Sequence, residues 1–380
     1  MDSAQGTKYE PIQVAHPGAI VVEYLESFGW SQADLARRTG LTPKTISEIC
    51  SEKGPITPPT ALAFEKVLQR PAHLWLNLQR RFDEAEARHR ELERSSHWTG
   101  WAARFPLKEM KRFGFIRQGR PARSDVETLL NFLGVSSPDS WTSVWQAAEV
   151  AYRQTRKFKT SDEAISVWIR ATELAAEQLQ VADFDEEHLR ASIPRLRLYT
   201  RERTDEILES VQSLCAAAGV AVVWVPGLRH TGISGSARWL NDKRALIALT
   251  LRYRTDDQMW FTFFHELGHV LLHKRRHDFV LDNPDENLSD RVVDPEMQQV
   301  EDEANRFASD TLIPPQALSK FIEQKQFTND SIHKFAEQVG VGPGIVVGRL
   351  QHENVLAPHQ GNALKQRLAF RIENEDDSSS

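Results

Sequence analysis

The sequence predicts a mainly α protein carrying one small antiparallel β-sheet, an α+β arrangement. Three observations lead there. Helical spacing of apolar residues recurs over the first 85 residues and again from 97 to 218. Three short β-branched or alternating segments then follow within 219 to 251. Immediately after them an apolar stretch with helical periodicity encloses the run His-Glu-Leu-Gly-His at 265 to 269.

The chain of 380 residues is too long for one ordinary core and implies several domains. With 40% hydrophobic and 26% charged residues it has the composition of a folded globular protein. The net charge of −6 excludes a molecule that attracts nucleic acid as a whole, so any DNA contact must come from a local patch. Only two cysteines occur, Cys50 and Cys215, far apart in segments that read as helical. Neither a disulfide framework nor a cysteine metal site is expected, which fits a reducing, cytoplasmic setting. The N-terminal segment MDSAQGTKYEPIQVAHPG has no basic flank followed by an apolar run. No segment approaches the about 20 apolar residues of a membrane span, so neither secretion nor a membrane partner is expected.

Between Gly18 and Phe28, the residues Ile20, Val21, Tyr24 and Leu25 have the spacing of a helix with one buried face. Ser31 can cap a second helix carrying Leu35 and Ala36, and Gly40 can end it at positive φ. Thr42 and Pro43 open a third helix whose Ile46 and Ile49 face back. This is helix-turn-helix geometry. It nominates Lys44, Thr45, Ser47 and Glu48 for base edges and Arg37 and Arg38 for phosphates. The segment HPGAIVVEYLESFGWSQADLARRTGLTPKTISEI, continued by ITPPTALAFEKVL and HLWLNLQRRFDEA, resembles the HigA-like branch of the Xre repressor family. That resemblance implies a five-helix fold that binds double-stranded DNA and is often a homodimer. Residues 31 to 54 carry four basic and three acidic side chains, weak electrostatics for such a role. The Arg- and Glu-rich LQRRFDEAEARHRELERS reads as a solvated helical connector.

Residues 97 to 218 show no catalytic constellation, and Trp141, Trp145 and Trp168 are expected to pack. Strands are expected at 219–225, 234–240 and 245–251, the last two joined as a hairpin through Asn241 to Arg244. The strand preceding the active helix is expected to offer an edge for an extended substrate.

His265 and His269 stand four residues apart on one helix face, so both imidazoles can reach one zinc ion. Glu266, rotated by about 100°, is placed to act as general base toward water activated by that ion. His273 lies about 12 Å along the helix from His265, too far to share the ion. A third ligand must come from elsewhere, and Glu301, Asp302 and Glu303 in VEDEANRFASDTLIP are candidates. Glu301 is preferred, because Asn305 at i+4 shares its face and can accept a hydrogen bond from a ligand imidazole. HELGH followed by ExEANxFAxxxLIP resembles the ImmA/IrrE metallopeptidase family and, more distantly, the gluzincins. The resemblance implies a zincin-like domain, assigns Glu301 as ligand, leaves Glu303 as the alternative, and implies site-specific cleavage of a repressor or antitoxin protein. The oxyanion donor is open among His230, Tyr253 and Arg254.

Residues 278 to 303, acidic and carrying Pro284 and Pro295, read as a solvated loop. Residues 330 to 358 read as a second helix-turn-helix-like pair that serves packing, and ENEDDSSS as a disordered tail. The expected domains are therefore 1–85 for DNA binding, 86–218 as connector and scaffold, 219–320 as metallopeptidase, 321–368 as C-terminal helices and 369–380 as tail. Two functions follow: a zinc peptidase that cleaves a regulatory protein, or a DNA-binding regulator or antitoxin whose metal domain senses a signal without proteolysis.

Overall fold

The computed structural model describes residues 14–116, 124–153, 161–229, 231–250, 255–273, 280–282 and 295–368. The chain divides into two compact units, Met1–Thr99 and Gly100–Ser380. The expected tail lies outside the described residues, as do His230, Tyr253 and Arg254.

The first unit contains α1 (Pro17–Phe28), α2 (Gln32–Thr39), α3 (Pro43–Cys50), α4 (Pro58–Leu68) and α5 (Ala72–Ser96). Its local signals act as the sequence implies. Ser31 Oγ accepts the Asp34 N–H while Asp34 returns a bond to the Ser31 N–H, a reciprocal cap. Gly40 ends α2 at φ +73°, and Thr42 caps α3 through the Thr45 N–H. Val21, Leu25, Leu35, Ile46, Ile49, Phe64 and Trp75 form the core. The second half of α5 is exposed and laced by pairs such as Arg88–Glu84 at 2.8 Å and Arg90–Glu86 at 3.5 Å. Pairs of that kind support an isolated helix by a few tenths of a kcal/mol each, roughly.

The second unit begins with two short helices, α6 (Thr99–Ala102) and α7 (Leu107–Arg112), followed by α8 (Asp125–Leu133) and α9 (Pro138–Arg153). Next come α10 (Asp162–Glu177), α11 (Glu186–Leu198) and α12 (Thr204–Ala217). Trp141, Trp145 and Trp168 are buried, and the Trp141 indole N–H donates to Ser166 Oγ at 3.1 Å, so these aromatics pack as expected. The sheet contains β1 (Val220–Trp224), β2 (Gly235–Asn241), β3 (Arg244–Leu249) and β4 (Val280–Asp282), in the order β1-β3-β2-β4.

The β2–β3 hairpin turns between Asn241 and Arg244, as its sequence suggested. The sheet is nevertheless mixed, because β1 lies parallel to β3, with Val220 opposite Ala245. Val220 to Val223 are buried on both faces, which suits a parallel pairing inside the fold and leaves no polar alternation to orient the strand. Two further corrections follow. β3, the strand before the helix that carries the HELGH run, is flanked by β1 and β2 and offers no free edge. Residues 280–282, read as loop, pair with β2, and the next helix starts at Pro295, well before the expected loop end at residue 303.

One face of the sheet carries α13 (Asp256–Leu272). Its Trp260, Phe263, Phe264, Leu267 and Val270 share a core with Ala237, Ile247 and Leu249. The opposite face meets α10, where Arg238 of β2 donates to Glu173 at 2.9 Å. Around α13 lie α14 (Pro295–Leu312), α15 (Pro315–Glu323), α16 (Asn329–Val339) and α17 (Pro343–His352). Ile345, Val346 and Val347 of α17 are buried in the α13 core, so the α16–α17 pair packs rather than presenting a reading helix.

Candidate metal centre

In α13, nearly every residue from Asp256 to Leu271 is buried, which makes polar side chains there costly unless they are paired. His265, Glu266 and His269 are 1%, 0% and 4% exposed, so the motif lies inside the core rather than on an accessible face. His265 Nδ1–H donates to Asn305 Oδ1 of α14 at 2.9 Å, which leaves the lone pair of His265 on Nε2. His269 Nε2 lies 2.9 Å from that nitrogen. Glu301 places Oε2 3.4 Å from His265 Nε2 and Oε1 3.7 Å from His269 Nε2. Three donors, all within 4.8 Å of one another, thus converge from two helices.

Two facing imidazole nitrogens repel unless a proton or a cation lies between them. Burial, followed by the nearby His265 and His273, holds His269 well below the ordinary imidazole range, so its neutral, ligating form is favoured. For tetrahedral zinc at about 2.0–2.1 Å from each donor, the donors stand about 3.3 Å apart. The two imidazole nitrogens at 2.9 Å, and one Glu301 oxygen approaching each of them at 3.4 and 3.7 Å, lie near that value. The residues therefore fit a divalent ion.

Two glycines leave room at the site, Gly268 against α14 and Gly235 against Glu266. A Cβ at Gly268 would stand 3.1 Å from Phe307 Cδ1 and 3.3 Å from Ala304 Cα, so the bare glycine lets α14 lie against α13 at the level of the ligands. A Cβ at Gly235 of β2 would stand 2.6 Å from Glu266 Oε1. Sequence reasoning missed both roles, and only the Gly within HELGH carried a signal that could have been followed.

Of the acidic candidates on α14, Glu301 reaches the histidines. Glu303 accepts from Gln299 at 2.8 Å and approaches His273 at 3.8 Å, while Asp302 accepts from Gln298 at 2.8 Å. At the start of α13, Asp256 and Asp257 are buried, a feature the sequence reading did not single out. Burial and then Asp257 push the Asp256 carboxyl up to about 6, and Lys365 Nζ pairs with Asp257 at 2.7 Å.

In the first unit, Lys44 and Ser47 are exposed on α3, with Lys44 3.8 Å from Glu48 of the same helix. Thr45 is half-buried, its hydroxyl 2.8 Å from that of Thr42. Arg37 pairs with Asp34, and the Arg38 guanidinium lies 4.1 Å from the centre of the Trp30 ring.

Comparison with known proteins follows the same division. The Peptidase_M78 family model, the IrrE N-terminal-like domain, matches residues 233–351, and the HTH_3 model, a helix-turn-helix, matches residues 21–75. An uncharacterized HTH-type transcriptional regulator, YddM of Escherichia coli, is 34% identical over 71 residues, 19% of this chain and 76% of its own. Virulence-associated protein I of Dichelobacter nodosus is 39% identical over 69 residues, 18% of this chain and 64% of its own. Among solved structures, Pseudomonas aeruginosa antitoxin HigA with higBA promoter is 29% identical, covering 22% of this chain and 94% of that one, with a TM-score of 0.22. The chain therefore belongs to the helix-turn-helix family of DNA-binding regulators through its N-terminal unit, and joins to it an IrrE N-terminal-like, M78-family metallopeptidase-like domain.

Proposed function

We propose that this chain is a cytoplasmic zinc peptidase that cleaves a specific repressor or antitoxin-like protein, while residues 1–85 bind double-stranded DNA. The observation that carries the reading is the convergence of His265 Nε2, His269 Nε2 and the Glu301 carboxylate beside a buried Glu266. When bound, zinc polarises the scissile carbonyl and brings the pKa of water toward about 7. Glu266 takes the proton from the attacking water and returns it to the leaving amine. Asn305 fixes the tautomer and tilt of His265, and the Glu266 carboxylate lies buried among the apolar residues of α13. Arg37, Arg38, Lys44, Thr45 and Ser47 are assigned to the DNA, with Lys44 and Ser47 best exposed on α3.

A second reading rests on the match of residues 21–75 to the helix-turn-helix model and on the relation to YddM. In that reading the chain is a regulator or antitoxin that binds DNA and uses its metal domain to sense a signal without hydrolysis. Incubation of wild type and Glu266→Ala with regulators encoded beside this gene separates the two. Cleavage that depends on Glu266 supports the peptidase. DNA binding by both forms with no cleaved product from any neighbour transfers the assignment to the sensor.

A further inference from the structure

We infer that Gly235 is the positioning residue for Glu266, its missing side chain being the seat in which the carboxylate of the general base rests. The inference builds on the peptidase reading given above. A Cβ built on Gly235 would lie 2.6 Å from Glu266 Oε1, 3.0 Å from Glu266 Cγ and 2.6 Å from Thr262 Cγ2. Thr262 precedes Glu266 by four residues, one turn below it on α13, so β2 crosses the face of the helix that bears the base. The backbone of Gly235 does not sit at positive φ, so space rather than conformation asks for glycine here.

The identity of the crowded atoms decides what a methyl would do. At Gly342 an added Cβ would strike the Thr200 carbonyl oxygen at 2.2 Å, and the backbone itself would have to move. At Gly235 the obstacles are side-chain atoms, two of the three belonging to Glu266. The backbone can stay in place, and the Glu266 carboxylate and the Thr262 methyl take the displacement. Ordinary carbon–oxygen contact needs at least 3.4 Å, so Glu266 Oε1 would move by nearly 1 Å, enough to cost a reacting group about 100-fold. The ligands need not follow, because Asn305 holds His265 from α14 and Glu301 also comes from α14.

The test uses the zinc-loaded full chain and acetohydroxamate, a small chelator whose hydroxyl proton a well-placed carboxylate accepts. Zinc content and acetohydroxamate affinity are measured for wild type, Glu266→Gln, Gly235→Ala, Gly235→Ala/Glu266→Asp and Gly227→Ala. Gly227 is the control, since its added Cβ would meet Thr250 at an ordinary 3.5 Å. All five are expected to hold one zinc. Glu266→Gln and Gly235→Ala should each weaken acetohydroxamate about 10-fold or more, the loss of one charge-assisted hydrogen bond. Shortening the acid to Asp in the double variant should recover several-fold, and Gly227→Ala should match wild type. Wild-type affinity in Gly235→Ala alongside a weakened Glu266→Gln overturns the inference, as does a double variant that recovers nothing. If Gly235→Ala does not fold, adding both Thr262→Ser and Glu266→Ala, which clear all three crowded atoms, must restore the thermal midpoint of Thr262→Ser/Glu266→Ala, and failure to do so overturns it equally. Absence of zinc from wild type, or no effect of Glu266→Gln, removes the peptidase reading and this inference with it.

Discussion

Asn305 Oδ1 accepts the Nδ1 proton of His265 at 2.9 Å, joining two helices through residues forty apart in sequence. That bond turns Nε2 of His265, rather than Nδ1, toward His269 and Glu301. Replacing Asn305 with Leu removes the acceptor at similar volume, and zinc affinity should fall about 10- to 100-fold. Asn305→Asp retains an oxygen acceptor and adds charge, so it should bind at least as tightly as wild type. Competition with a chromogenic chelator measures both.

Gly268 governs the same interface by size. A Cβ there would stand 3.1 Å from Phe307 and 3.3 Å from Ala304 Cα, and Gly268→Val adds two further methyls. The expected cost is about 1–3 kcal/mol of stability. Because α14 carries Glu301, zinc affinity should also drop by at least about 10-fold, a loss a purely structural glycine elsewhere would not produce. Denaturant unfolding and chelator competition on the same sample read the two effects.

Asp256 gives a pH dependence with a definite sign. Its carboxyl is pushed up from 3.8 to about 6, first by burial and then by Asp257. The folded chain therefore holds more protons than the unfolded chain between about pH 4 and pH 6, and stability falls as pH rises through that window. Asp256→Asn keeps an oxygen to accept the Gln366 N–H and cannot ionise. It should erase that slope and raise stability at neutral pH by about 1–3 kcal/mol, as urea melts at pH 4, 5, 6 and 7 would show.

Glu173 joins α10 to β2 by pairing with Arg238 at 2.9 Å and with Arg170 at 2.8 Å, and the Arg238 side chain is only 9% exposed. Glu173→Ala removes the carboxylate that pairs with that buried guanidinium and should cost about 2–4 kcal/mol. Adding Arg238→Met should recover most of the loss. A double-mutant cycle in denaturant checks the coupling.

Much of this architecture can be read from the chain because its signals are local. Ser31, Gly40, Thr42 and Pro43 each act within one turn, and the spacing of His265 to His269 follows from helix geometry alone. Glu301 and Asn305 could be chosen because i and i+4 share a face. What the sequence hid depends on long-range approach. Nothing local marks Gly235 as the neighbour of Glu266, and nothing in VAVV shows that β1 will run parallel to β3 rather than extend the hairpin. The buried Asp256 and Asp257 read as ordinary acidic residues at a helix start, since their burial comes from α17 and Lys365, about a hundred residues away.

Metal content across four proteins tests the central claim most directly. Wild type, Glu266→Ala, Glu301→Ala and Glu303→Ala are purified, dialysed against zinc-free buffer and assayed by elemental mass spectrometry. The expected result is one zinc per chain in wild type, Glu266→Ala and Glu303→Ala, with none in Glu301→Ala. Zinc retained by Glu301→Ala, or absent from wild type reconstituted with excess zinc, would contradict the account.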